Sequence, residues 1–207
     1  MKKRILAMLL ALMLLIGIFP VNAFATEAEG STSITAYVSV SQNGNFVTGK
    51  DNKSVAAIPV TLTGKESYTL DDALKAVHDQ CYEGGAATGY ASYTHETYGL
   101  SLKKLWGNDS GMFGYQINRG TVSVMGLGHV ISDGDYIDAY INQSAYPDNE
   151  AYAVFNKNIY KAVVGKSISL KLTQAGYDEN WNTVFSATEG AVITINGVPA
   201  TTTVDGV

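Results

Sequence analysis

One cysteine, Cys81, occurs among 207 residues, so no disulfide can form within the chain. Stability must come from a packed core rather than from covalent staples, and a hydrophobic content of 46% is ample for one. Positive charge is scarce too. Lys and Arg number 14 against 19 Asp and Glu, and beyond the first four residues they form no cluster, which excludes nucleic acid as a partner. The sequence has no G-x-S-x-G, H-E-x-x-H, P-loop or dinucleotide fingerprint. His78, His95 and His129 stand far apart without the i, i+4 spacing of a zinc site, and Asp133-Gly134-Asp135 lacks the ligand spacing of a calcium loop. Two carboxylate pairs have simpler uses than hydrolysis: Asp71 with Asp72 suits a helix N-terminus, and Asp133 with Asp135 suits a turn. No catalytic and no metal-binding residue is assigned, and the protein is read as non-enzymatic.

Only one long apolar run is present. Lys2, Lys3 and Arg4 precede an almost wholly apolar stretch over residues 5–19, and Ala23-Phe24-Ala25 supplies an A-x-A cleavage pattern. The run falls short of the roughly 20 residues of a membrane helix, so residues 1–25 are read as a secretory signal peptide and Thr26 as the new N-terminus. A secreted or cell-surface protein with no membrane span after cleavage is expected. The short MKKR start and the near absence of cysteine suggest a bacterium, Gram-positive by type. Neither a lipobox cysteine nor an LPxTG-type signal occurs in the sequence, which leaves the anchoring mode open.

After a small, polar leader over residues 26–33, Ile34, Ala36, Val38 and Val40 alternate with polar and aromatic residues as in a strand buried on one face. Asn43-Gly44 offers a turn, although the polar stretch to Ser54 predicts a longer link than a two-residue hairpin, and Val60 and Leu62 mark a second strand. A helix follows. Thr69 and Asp72 have the spacing of a capping box, Leu70, Ala73, Leu74, Val77 and Cys81 fall on one stripe, and Gly84-Gly85 is expected to stop the helix. On that stripe Cys81 is a small core hydrophobe. Strands are then predicted at residues 111–120 and 135–141, where Ile137, Ala139 and Ile141 share one face and Tyr136, Asp138 and Tyr140 the other. Residues 34–143 make an α+β domain with a mixed sheet. Residues 146–149 (YPDN) mark a linker within 144–154. Beyond it, Ile168, Leu170 and Leu172, a strand over 191–195 and an Asn196-Gly197 turn outline the start of a β-sandwich over 155–207. An immunoglobulin-like unit needs about seven strands, so this second unit is read as incomplete.

The chain has 13 tyrosines, 6 phenylalanines and 2 tryptophans, and several gather between Tyr90 and Tyr115, which makes a binding surface the first place to look for function. Aromatic side chains give large, rigid contact area with a polar handle, suited to a sugar ring, a macrocycle or a partner protein. In the 111–120 strand, Phe113, Tyr115 and Ile117 are expected to hold the helix. Met112, Gly114 and Gln116, with Trp106 and Asn108 from the preceding loop, are read as the wall of a site, with Gly114 leaving room for a ligand. Tyr93 and Tyr98, near loops, are expected to be exposed. His95 is weighed as an axial metal ligand and read as solvated.

The ordered segments YTLDDALKAV, YGLSLKKLWG, GMFGYQINRG and ISDGDYIDAYI resemble the DUF4430 domain, which is similar to the C-terminal β-domain of the transcobalamin and intrinsic factor family. The resemblance covers residues 34–143. Residues 155–207, with GKSISLKL and GAVITINGV, look like the immunoglobulin-like or CNA-B-like modules of bacterial surface proteins. What the resemblance implies is a β-grasp-like fold, one helix across a curled sheet, and exported binding or adhesion. A corrinoid such as cobalamin is the implied ligand. Phe113, Tyr115 and Gln116 match the ligand-facing aromatic strand, Asn118 the N-G position, and Asp133, Gly134 and Asp135 the turn before the last strand. The chain departs from the pattern where Arg119 separates Asn118 from Gly120 and where Phe113 stands in place of the usual Trp. The helical barrel that completes a cobalamin pocket is also missing from the sequence. The expected partner is therefore a small flat ligand or a cell-surface macromolecule, with a spacer or adhesion role as the rival.

Overall fold

A computed structural model describes residues 32–110, 112–121, 126–142, 152–180, 182–188, 191, 193–195 and 198–199. All belong to one compact unit, Thr32–Val207. The signal segment, the 146–149 linker and the Asn196-Gly197 turn lie outside the described residues.

The alternation at the start of the chain becomes β1 (Thr32–Gln42), which buries Ala36, Val38 and Val40 completely on one face. It sits at the centre of the main sheet. Its first half pairs antiparallel with β3 (Ile58–Lys65), and its second half pairs parallel with β10 (Tyr136–Ile141). On the far side of β10 come β7 (Phe113–Ile117) and the two-residue β8 (Gly120–Thr121), both antiparallel to their neighbours. The link from β1 to β3 runs over residues 43–57, longer than a two-residue hairpin as its composition predicts, and a small hairpin lies within it. Asn43 and Gly44, with φ of 53° and 75°, form a two-residue turn into β2 (Asn45–Phe46). Positive φ at both central residues is the type I′ geometry that suits the twist of a hairpin.

The helix forms as its caps predict, as α1 (Leu70–Cys81), with the Thr69 and Asp72 capping box closed in both directions. Burial alone would raise the Asp72 pKa, but hydrogen bonds from Lys65 and Thr69 outweigh it and hold the carboxyl below its usual range. Leu70, Ala73, Leu74 and Val77 are fully buried, and the helix packs against β3 and β1. Cys81, at the stripe's end, is half-buried against the core, and burial pushes its thiol up in pKa. The glycines do not stop the helix themselves. Tyr82, in extended conformation, caps it, while Gly84 (φ 77°) and Gly85 (φ 67°) reverse the chain into a second short helix, α2 (Gly85–Gly89).

The tyrosine-rich stretch beyond, which has little periodicity, forms a hairpin of β5 (Ala91–His95) and β6 (Gly99–Lys104). Short strands β4 (Tyr68–Thr69) and β9 (Val130–Ile131) pair beside the helix N-terminus, where the carbonyls of His129 and Leu127 accept from the first helical amides, Leu70 and Asp71. Starting at the end of the expected 144–154 linker, β11 (Ala153–Phe155), β12 (Leu172–Tyr177) and β13 (Thr183–Ala187) form an antiparallel sheet, and β14 (Thr194–Ile195) pairs with β15 (Val198–Pro199). The predicted 168–172 strand starts only at Leu172, and Ile168 is exposed. The chain is thus a mixed α+β protein, mostly strand, with two short helices and several sheets among the described residues. None of its described helices is long and apolar enough to cross a membrane.

Because Leu74 is wholly enclosed between α1 and the sheet, Leu74→Ala is expected to lower unfolding free energy by about 2–5 kcal/mol, read from urea denaturation midpoints.

Candidate functional site

Trp106 occupies an unusual backbone position. Leu105 and Asn108 exchange both backbone hydrogen bonds, at 3.0 and 2.9 Å, around a two-residue turn in which Trp106 and Gly107 have φ of 50° and 77°. A left-handed conformation costs a bulky residue on the order of 1–3 kcal/mol unless its surroundings over-determine it. Here they do. The Trp106 amide donates to His78 Nε2 at 3.0 Å, and its indole Nε1–H donates to the Thr48 carbonyl at 3.3 Å. Its ring packs on those of His78 and Tyr82, with centroids 4.9 and 5.1 Å away. Gly107 is required where it stands, because a Cβ there would meet the Tyr82 hydroxyl at 2.2 Å.

His78 is the hub of this arrangement. It lies on the last turn of α1, fully buried, with Nδ1 2.6 Å from the Leu74 carbonyl. Since the Trp106 amide supplies a proton to Nε2, Nε2 must carry the lone pair, and Nδ1 then carries the hydrogen and donates to Leu74. Tyr82, Tyr90 and Trp106 enclose the imidazole. Burial pushes its pKa below the ordinary 6.5, against a smaller opposing effect of the Leu74 bond and of the Asp79 charge. Nearby, the Tyr90 hydroxyl donates to Asp71 Oδ1 at 2.7 Å while Lys75 holds Oδ2 at 2.5 Å. Burial and the Asp71 carboxylate raise the Tyr90 pKa far above the usual phenol range.

A shallow, open groove of about 460 Å³ runs between Trp106 and the hairpin at the end of β1. Gln42, Asn43, Asn45, Phe46, Val47 and Thr48 form its other walls, and Phe46 is 54% exposed. Of the residues assigned to a site from sequence, Trp106 alone lines this groove. Tyr93 and Tyr98 are exposed on the β5–β6 hairpin, 44% and 66%, on either side of His95, whose Nδ1 accepts from the Thr97 and Tyr98 amides. Asn108 closes the Trp106 turn and holds Ser110. Met112 accepts from the Asn142 amide at the start of β7, and Phe113 and Tyr115 pack on the core. Asn118 and Arg119 form another type I′ turn, in which Asn118 bonds Asp135 and the Tyr136 amide. Gln116 is 3% exposed, with its Nε2 3.5 Å from the Tyr140 hydroxyl.

The space above Gly114 is not free for a ligand. A Cβ there would lie 2.1 Å from the Tyr140 ring, which fills the gap. Tyr140 stacks in turn on Tyr152, and the Tyr152 hydroxyl donates to Asp138. The room expected at Gly114 is therefore filled by the chain itself. Phe46 and the asparagines of the hairpin, by contrast, escaped the sequence reading. Their signal was a Phe46-Val47 pair just after Asn43-Gly44 in a stretch that is mostly polar.

No group of three or more His, Cys, Asp or Glu side chains able to hold a metal ion occurs among the described residues. Compared with family models, curated proteins and solved structures, the chain matches none.

Two substitutions test this geometry. Gly114→Ala is expected to displace the Tyr140 ring and destabilise the fold by about 1–3 kcal/mol as an overpacked site, measurable by urea denaturation. His78 should make stability pH-dependent. The unfolded chain takes up a proton near 6.5 that the folded chain, with its lowered pKa, refuses. Stability present above that pH is thus lost as pH falls below it and through the folded value. Urea midpoints between pH 8 and 5 should fall for the native chain, and that part of the slope should vanish in His78→Gln.

Proposed function

We propose that this protein is an exported, non-enzymatic binding module that presents the groove beside Trp106 to a ligand at the bacterial cell exterior. The observation that carries this reading is an exposed aromatic, Phe46, lining a groove together with Trp106, which is locked by His78, Thr48 and Tyr82. A rigid aromatic wall reduces the entropy that binding would cost. The signal-type N-terminus supports export, and the DUF4430-like segments support a binding role. A helix packed on a mixed sheet whose first and last long strands are parallel neighbours supports the β-grasp reading. The strands after the linker support a β-sandwich module of the surface-protein type.

A corrinoid enters through the resemblance alone. The groove is open and can cover only one face of a macrocycle, so a cell-surface macromolecule suits it better. The spacer role draws support from the burial of Tyr90 and the packing of Phe113 and Tyr115 into the core.

The test uses the whole purified chain, fluorescently labelled, for retention on intact bacterial and animal cells, and calorimetric titration with cobalamin and cobinamide. Saturable binding in either format, weakened about tenfold or more by Phe46→Ala, is the expected result. Absence of binding in both leaves the spacer role standing.

A further inference from the structure

The groove's chemistry narrows what it accepts. Its lining combines two aromatic rings, three side-chain amides, a threonine and a valine, with no charged residue. A lining without charge gives an ion nothing to pair with, whereas each amide offers donors and acceptors on one group. That combination matches a ligand whose edges carry many hydroxyls and whose faces are patches of C–H. Resting on the reading of this groove as a binding site, we infer that it accepts a neutral oligosaccharide, the sugar rings lying on Phe46 and Trp106 and their hydroxyls bonded by Gln42, Asn43 and Asn45.

Shape and rigidity argue the same way. The groove is open rather than enclosed, so a small molecule would keep most of its surface in water. A chain crossing it gains contacts from successive units. The hairpin is preformed: the type I′ turn fixes Asn43, the Asn45 side-chain Nδ2 donates to the Asn43 carbonyl at 3.1 Å, and the Val47 backbone amide donates to the Val40 carbonyl at 2.9 Å. The Trp106 indole N–H is already engaged by Thr48, which leaves the ring to serve through its surface and not through its proton. The adjoining buried imidazole is neutral by geometry, since it accepts from the Trp106 amide, so it places no charge beneath the groove.

The experiment follows the indole N–H signals of the whole 15N-labelled chain during titration with cellohexaose, chitohexaose, maltohexaose, a sulfated hexasaccharide and cobinamide. Trp106→Phe identifies the Trp106 signal. Saturable shifts of that signal with at least one neutral hexasaccharide, with affinity reduced about tenfold or more in Phe46→Ala at unchanged melting temperature, support the inference. Shifts with cobinamide or the sulfated sugar alone overturn the neutral-saccharide inference and keep the binding reading. No shift with any probe overturns the inference, and if cell retention is also absent the binding reading falls with it.

Discussion

The parallel pairing of β1 with β10 governs the rest of the fold. Parallel neighbours cannot be joined by a tight turn, so the chain must leave one end of the sheet and return at the other. Between β1 and β10 it forms the antiparallel return of β3, the helix α1 and the two hairpins that follow. The helix lies on the sheet because its apolar stripe has nowhere else to be buried, and its last turn thereby delivers His78 next to the turn at Trp106. The hairpin at the end of β1 lies across from it, linked through Thr48. One pairing thus brings together two walls about 60 residues apart in sequence.

Within that frame, a neutral buried histidine acts as the mould for a strained tryptophan. A protonated His78 would set an N–H against the Trp106 amide, so the left-handed turn and the uncharged imidazole depend on each other. The three rings around the imidazole explain why it is kept dry. Much of the chain's aromatic content serves this kind of internal packing. Tyr37 stacks on Tyr136 across the parallel pair, and Tyr140 stacks on Tyr152 near the end of the 144–154 segment. Aromatic density therefore locates packing as readily as it locates a surface, and exposure is what separates the two.

Local patterns were legible where the physics is local. The alternation of β1 and β10, the Thr69 and Asp72 cap and the stripe of Leu70, Leu74 and Val77 depend on residues one to four positions apart, and the structure has them where their spacing puts them. The Asn43-Gly44 turn and the long link to β3 were visible, but the short β2 inside that link was not, because two residues show no period. The β5–β6 hairpin was hidden for a related reason. It pairs apart from the main sheet and so shows little of the alternation that a buried face would impose.

What the sequence alone determined is the set of elements bounded by short-range rules: the helix and its cap, the faces of the long strands, and a core built without disulfides. Which side chains face solvent was decided by tertiary structure. Gly114 looks open along its own strand, yet the Tyr140 ring fills the space it leaves. Phe46 and Val47 look alike as an apolar pair, yet folding buries Val47 and leaves Phe46 exposed, lining one groove with Trp106. Both outcomes turn on contacts between residues far apart along the chain, and a period of two or of 3.6 carries no information about such distances.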